Sequence, residues 1–445
     1  MPKTKKNIVI GGGWAGLAAA IELSRQQHPV QVLESAKQLG GRARRVAFDK
    51  DTLDNGQHLL IGAYKDTLRL LNTIGLDKNS ALQRHVLDWQ VFSPNAKPIR
   101  VKAYAAPAPF HLLLGLLTAQ GLNWHDKYRA IRLGHKLWKG NSIGAHDVSV
   151  SAWLQQHRQT QRLVNAFWEP LCLATLNTPL TEASAKCFVR VLTDAFLEST
   201  TASNYLIPRQ DLSGTFADPA MTFIEKNAGH ISLAHRVDKI LVENNRVAGV
   251  QCQDKVIAAD NIIISTPPNI TANLLAGIPE LSKLTAQLSK FTYHPICTVY
   301  LRYSTDTQIP AATPIVGMNN TLTQWVFDRR VCQQPGVIAV VISSSGPHME
   351  MDNQQLSTTV AEELADCFPD WPTHSSAKVI REKRATFSSC VGIDSIRPRT
   401  QTSISGLFLA GDYIDTGYPA TLEGAVQSGL RAARAVLESN TTREL

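Results

Sequence analysis

The sequence predicts an α/β fold whose central sheet is parallel, and three observations carry that expectation. The apolar run Ile8-Val9-Ile10 has the length of a buried strand, and a glycine-rich turn follows it at once. Leu17-Ala18-Ala19-Ala20-Ile21-Glu22-Leu23 then reads as a helix. Val30-Gln31-Val32-Leu33 supplies the next short strand, so the order is strand, turn, helix, strand.

With 445 residues, 44% of them apolar, the chain is too long for one ordinary domain and too apolar for disorder. Only 18% charged residues, with 27 Gly and 22 Pro, exclude a coiled coil, a collagen and a low-complexity chain. A net charge of +8 is modest for a nucleic-acid binder, so no nucleic acid is expected as a partner. Seven scattered cysteines, an odd number without a C-x-x-C pair, argue against a disulfide framework and for a reducing compartment. Met1-Pro2-Lys3-Thr4-Lys5-Lys6 leads straight into the first strand, so no apolar export segment is expected. No run approaches the ~18–20 apolar residues that span a bilayer. P-loop and H-E-x-x-H patterns are absent, and no Cys/His spacing points to a metal.

Each element of the opening unit has a chemical reading. Gly11 permits the tight turn, Gly13 lets backbone approach a pyrophosphate, and Gly16, helped by Ala20, lets helix and strand pack closely. Trp14 and Ala15 open a helix whose free N–H groups and positive dipole suit phosphate. Glu34, at the end of the second strand, stands where an acid grips a ribose hydroxyl and repels a 2′-phosphate. This is a Rossmann-like dinucleotide site, and by itself it does not choose between NAD and FAD.

Three later segments make that choice by resemblance. Leu39-Gly40-Gly41-Arg42-Ala43-Arg44 resembles the second glycine motif of the flavin-containing amine oxidase and phytoene desaturase superfamily. Its glycines let a loop cross close to a cofactor, and Arg42 can meet phosphate charge. Where the superfamily often has Ser or Thr, this chain has Arg45. Gly406-Leu407-Phe408-Leu409-Ala410-Gly411-Asp412, followed by Glu423-Gly424-Ala425, is similar to the closing FAD signature. Carried over, that signature assigns FAD contacts to Gly411, Asp412, Thr421, Leu422 and Glu423. Gly229-His230-Ile231-Ser232 through Val237 resembles the strand whose valine backbone touches adenine, and Asn261-Ile262-Ile263-Ile264 the strand that re-enters the main sheet.

The resemblance implies a glutathione-reductase-type FAD-binding domain in three pieces, 1–80, 213–270 and 395–445. An interleaved α+β substrate domain would come from 81–212 and 271–394.

Asp54-Asn55-Gly56-Gln57-His58-Leu59-Leu60-Ile61-Gly62-Ala63-Tyr64 narrows the chemistry. Together with Trp168-Glu169-Pro170-Leu171, Leu176-Asn177-Thr178-Pro179 and Thr416-Gly417-Tyr418-Pro419-Ala420-Thr421, it resembles one branch, the bacterial hydroxysqualene dehydroxylases. In the superfamily the equivalent of this segment runs beside the flavin ring, which places Gly56 and Gln57 at the cofactor. The branch implies that a C30 allylic alcohol loses its hydroxyl by hydride transfer from reduced flavin, in squalene or hopanoid biosynthesis. His58 is the candidate catalytic residue, as general acid or orienter. Asp54, Glu169 and Asp211 are expected to be structural or at the surface. Other readings are a carotenoid or phytoene desaturase, a flavin amine oxidase, and a prenyl-lipid binding protein without redox chemistry. The resemblance names no electron donor.

Charge is unevenly spread. Residues 97–140 hold Lys97, Arg100, Lys102, Lys127, Arg129, Arg132, Lys136 and Lys139 against one acid, Asp126. The same stretch contains the apolar segment Phe110-His111-Leu112-Leu113-Leu114-Gly115-Leu116-Leu117. A short apolar helix followed by a basic amphipathic one is the pattern of an interfacial pair. Moving ~30 hydrocarbon carbons into water costs roughly 20 kcal/mol, so such a substrate is taken from a bilayer or from an upstream enzyme of the squalene-synthase kind. Residues 104–139 are therefore the expected docking segment, on the anionic inner face of the cytoplasmic membrane.

Overall fold

The computed structural model describes residues 5–94 and 96–441. Met1–Thr4, part of the stretch read for an export segment, lie outside the described residues.

The central sheet is parallel and five-stranded, in the spatial order Gly229–Ser232, Val30–Leu33, Asn7–Ile10, Asn261–Ile264, Leu407–Leu409. Val9, Val32 and Ile263 are fully buried, as strands covered on both faces require. The helix Trp14–Arg25 lies on one face, and the C-terminal helix Leu422–Thr441 packs against it. Two glycines permit these contacts. A Cβ at Gly16 would lie 2.0 Å from the Gly11 carbonyl oxygen, and one at Gly429 would lie 2.1 Å from that of Ala15. Between the third and fourth strands in chain order stands an antiparallel meander, Lys239–Glu243, Arg246–Cys252 and Lys255–Ala258.

A second layer is a seven-stranded mixed sheet, ordered Ser376–Phe387, Tyr293–Arg302, Val337–Ser343, Trp325–Asp328, Ile315–Met318, Asp88–Ser93, Ala96–Lys102. Its strands alternate sides. Cys297, Val299, Val340 and Ile342 pack with Leu356, Val360 and Leu364 of the helix Asn353–Cys367. Ile296, Thr298, Val341 and Ser343, one residue out of step, face a cavity instead. The hairpin Arg45–Phe48/Asp51–Asp54 and the small sheet of Leu60–Ile61, Tyr205–Pro208 and Leu82–His85 lie between the two large sheets in the chain's path.

The apolar and basic segments form two helices, Phe110–Leu117 and Trp124–Trp138. The second starts with a reciprocal capping box between Asn123 and Asp126. All seven cysteines are free. Among the described residues no helix is long and apolar enough to cross a membrane.

Candidate active site

A cavity of about 900 Å³ runs from the C-terminal ends of the parallel strands to the exposed-from-core face of the seven-stranded sheet. Its polar end is the glycine turn. The helix Trp14–Arg25 begins at Gly13 with no side-chain cap and no acid in its first turn, so its leading N–H groups are open to an anion. Gly11, Gly13, Trp14 and Ala15 line the cavity there, whereas Gly16 serves the helix packing described above. Glu34 Oε2 accepts the Gly12 N–H at 2.6 Å, and Oε1 accepts that of Ala36 at 2.7 Å. These bonds fix the carboxylate at the cavity wall with lone pairs left for a sugar hydroxyl. The backbone of His235 donates to the Glu34 carbonyl at 2.8 Å, which brings Val237 to the same wall.

Gly41 crosses close to Gly13: a Cβ built on it would lie 3.2 Å from the Gly13 Cα. Next to it, Arg42 pairs with Asp412 at 2.8 Å and donates to the Ala385 carbonyl at 2.8 Å. The arginine expected to meet phosphate therefore spends its charge on the aspartate. The Gly411 N–H donates to Ser428 Oγ at 2.8 Å. Buried Arg397 shapes the rest of this loop by donating to the carbonyls of Asp412, Ile414 and Tyr418. Thr421 Oγ1 accepts the Gly424 N–H at 3.0 Å and so caps the last helix, with Leu422 also on the cavity.

Glu423 corrects the sequence reading. It does not line the cavity. Its carboxylate accepts the N–H groups of Asp66 and Thr67, both at 2.9 Å, and the Thr67 hydroxyl at 2.7 Å. It thereby caps the helix Lys65–Thr73, which has no side-chain cap of its own.

The segment 54–58 follows the hairpin. Asp54 is buried off the cavity, accepts the Leu212 N–H at 2.7 Å, and burial raises its carboxyl to about 6 against the opposing charge of Arg329. Asp211 is structural too, accepting from Arg45 at 3.1 Å and from the Gly214 N–H at 2.9 Å. Gly56, Gln57 and His58 line the cavity. The Gln57 side chain is engaged by buried Arg329 through its Oε1. His58 Nδ1 lies 2.7 Å from the Gly56 carbonyl oxygen, which can only accept, so Nδ1 carries the proton and Nε2 is left as an acceptor. Burial lowers the imidazole to about 4, with Arg42 adding to the effect against the Gly56 hydrogen bond. At neutral pH the ring is neutral, with Nε2 free to accept a hydrogen bond.

The far end of the cavity is apolar. Leu171 and Ala174 come from the helix Glu169–Leu176, Val191 and Phe196 from Ala185–Phe196, and Trp325 and Phe327 from the sheet. Thr298, Val341 and Trp325 stand side by side across three strands. The buried Thr298 hydroxyl and Trp325 indole N–H find no protein acceptor. Asn177 holds this end together. Its amide donates to the His294 and Pro295 carbonyls and to Thr386 Oγ1, and its Oδ1 accepts the Ser344 N–H at 2.7 Å. Sequence reasoning noted this asparagine without giving it a role; an Asn directly after an apolar helical run and two residues before a proline was the available signal, and it takes the left-handed conformation that ends the helix.

A polar cradle for a dinucleotide that opens into an apolar chamber defines a class. The chain belongs to the flavin containing amine oxidoreductase family, which it matches over residues 14–437. It is a flavin-dependent oxidoreductase. Among curated relatives it is 29% identical to a hydroxysqualene dehydroxylase of Rhodopseudomonas palustris, over 96% of this chain and 97% of that one. It is 27% identical to a hydroxysqualene dehydroxylase of Sinorhizobium fredii, over 98% of this chain and all of the relative. Among solved structures an oxidoreductase from Methanosarcina mazei shares the fold, with a TM-score of 0.75 at 18% identity, covering 96% of this chain and 100% of the other.

Proposed function

We propose that this protein is an FAD-dependent hydroxysqualene dehydroxylase, which removes the hydroxyl of a C30 allylic alcohol and yields squalene. The carrying observation is the continuity of one cavity from the uncapped helix at Gly13 and the Glu34 carboxylate, past His58, into a chamber walled by Leu171, Val191, Phe196 and Phe327. The open N–H groups and Glu34 suit the pyrophosphate and ribose of FAD in a glutathione-reductase-type domain, and Glu34 disfavours a 2′-phosphate. Fully reduced flavin, when bound, would supply a hydride to the allylic carbon and a proton to the departing hydroxyl, which leaves as water while the flavin is oxidised.

The chain's own residues bind, orient and exclude water. The chamber wall desolvates the hydrocarbon and leaves few polar groups to compete for the alcohol. His58 Nε2, neutral and fixed by the Gly56 carbonyl, accepts the substrate O–H and so aligns the carbon–oxygen bond. Arg397 and the Arg42–Asp412 pair hold the closing loop against the cofactor side.

The substrate's insolubility also supports a peripheral membrane protein on the inner face of the cytoplasmic membrane. Tyr104, Phe110, Leu114, Leu117, Trp124, Tyr128 and Trp138 are all exposed. Phe110, Leu114 and Leu117 share one helix face, and Trp124, Tyr128 and Arg132 share another. Behind them, buried His111 lies 3.5 Å from the hydroxyl of Ser203, a cavity residue, so this surface backs directly onto the chamber. The substrate arrives from an enzyme that condenses two C15 units, and an external donor supplies electrons.

The test is anaerobic incubation of dithionite-reduced protein with hydroxysqualene, followed by product identification. Squalene in stoichiometric yield is expected. An additional conjugated double bond, formed by oxidised protein on a polyene, would replace this reading with a desaturase.

A further inference from the structure

We propose that Glu182, His294 and Cys390 form a zinc site beside the apolar chamber. Three chain segments far apart in sequence meet there, so no ligand spacing announces it. His294 Nε2 lies 3.6 Å from Glu182 Oε2, and Cys390 Sγ lies 4.0 Å from the same oxygen. All three ligand atoms fall within 4.8 Å of one another. Zinc bound to nitrogen, oxygen and sulfur at about 2.0–2.3 Å sets ligand–ligand edges of roughly 3.3–3.8 Å. One edge already fits, and the others close by modest side-chain movements.

The cluster is held in place by backbone. The Val391 N–H donates to the Glu182 carbonyl at 3.1 Å, and that of Ser184 donates to the Ser389 carbonyl at 2.8 Å. Ala183 and Cys390 pair as an isolated bridge. Asn177 donates to the His294 carbonyl, which fixes the third segment. The imidazole is also oriented for the task. Its Nδ1 faces Ser344 Oγ at 3.4 Å, while Nε2 is shielded from water and turned toward the Glu182 carboxylate. A metal ligand with one nitrogen hydrogen-bonded and the other directed at the remaining ligands is the arrangement that second-shell contacts produce. The Glu182 side chain is 52% exposed, which leaves solvent access for a fourth ligand, a water.

The donor set selects the ion. One sulfur, one imidazole and one carboxylate suit borderline-soft Zn²⁺ and do not suit Mg²⁺ or Ca²⁺, which take all-oxygen shells. On binding, zinc replaces the thiol proton, which passes to solvent. The ion would tie the loop after Asn177 to the strands that begin at Tyr293 and end at Phe387.

The experiment uses the untagged full chain, stripped with EDTA and titrated with ZnCl₂, and with MgCl₂ in parallel. One zinc per chain and no magnesium are expected, with binding weakened at least about tenfold in Cys390→Ser and in His294→Ala. A second readout needs no variant. Zinc is expected to slow iodoacetamide alkylation of Cys390 about tenfold, read by peptide mass, and to leave partly buried Cys367 unchanged. Equal zinc binding by Cys390→Ser, or a Cys390 alkylation rate unaffected by zinc, overturns the proposal. Neither readout depends on the reaction the enzyme performs.

Discussion

Arg42 and Asp412 meet at 2.8 Å, and this pair joins the loop after the second strand to the loop after the last one. The aspartate side chain is only 8% exposed and the arginine 34%. Its other guanidinium nitrogen holds the Ala385 carbonyl at the end of the chamber's edge strand. The two halves of the cavity are thus clamped at one point.

Arg42→Met leaves a buried carboxylate without its partner. Fully buried, that would cost about 3–5 kcal/mol; with a third of the arginine exposed to solvent, about 1–3 kcal/mol is expected. Thermal melts should show the loss, and the purified variant should hold less flavin by absorbance. Arg42→Met combined with Asp412→Asn should recover part of the stability, because the orphaned charge is gone. Equal melting of wild type and Arg42→Met would mean the pair holds nothing.

Asp54 gives a pH dependence. Burial raises its carboxyl to about 6, against about 4 in the unfolded chain. Its contribution to stability is present below about pH 4 and is lost as pH rises to about 6. The amount is about 3 kcal/mol. Asp54→Asn keeps an oxygen for the Leu212 N–H and does not ionise. The variant should therefore gain on wild type by about that amount between acid and neutral pH. A stability difference that stays constant from about pH 4 to about pH 7.5 would contradict this.

For His58 the sign is opposite. Burial lowers its imidazole to about 4, so the neutral ring's stabilising contribution is present above about pH 6.5 and is lost as pH falls through about 4. His58→Ala should retain bound flavin and lose about 10- to 100-fold in turnover, the scale of a lost orienting contact. Wild-type turnover should carry no inflection near pH 6.5 from this group. An inflection there that disappears in His58→Ala would assign the ring a proton-transfer role and refute a purely orienting one.

The opening strand, the glycine turn, the helix and the next strand were legible in the sequence because each depends on a local pattern. Contacts across the chain were not. Glu423 carries a familiar signature, yet its carboxylate caps a helix whose own N-cap residue, Tyr64, makes no side-chain capping bond. Nothing near Glu423 in sequence records that need. The chamber wall was hidden for another reason. The strand Tyr293–Arg302 faces a core with Cys297 and Val299 and the cavity with Ile296 and Thr298, and with His294, Thr298 and Arg302 on that second side its alternation reads as a solvated face.

Lys127 shows the same limit at the surface, and it changes the docking experiment. The basic stretch made it a lipid-facing residue. In the fold it is buried, and its ammonium donates to the Leu117 carbonyl at 2.8 Å, satisfying the end of the preceding helix. Lys127→Glu should therefore destabilise the helix pair and says nothing clean about lipid. The exposed cations of the basic stretch are Lys97, Lys102, Arg132 and Lys139, and its aromatics Trp124 and Tyr128 are 73% and 58% exposed. Each of these charges near an anionic surface is worth about 1 kcal/mol, and each aromatic that enters the interface about as much or more. Phe110→Ser, Trp124→Ser and Tyr128→Ser together should weaken flotation with anionic liposomes about a hundredfold and leave the melting temperature unchanged. Arg132→Glu with Lys139→Glu should weaken it less, and only at low salt, because surface charge is screened within a Debye length. Reaction with detergent-dispersed substrate should survive both sets. Flotation that is indifferent to the aromatic changes would place the entry of the hydrocarbon elsewhere on the chain.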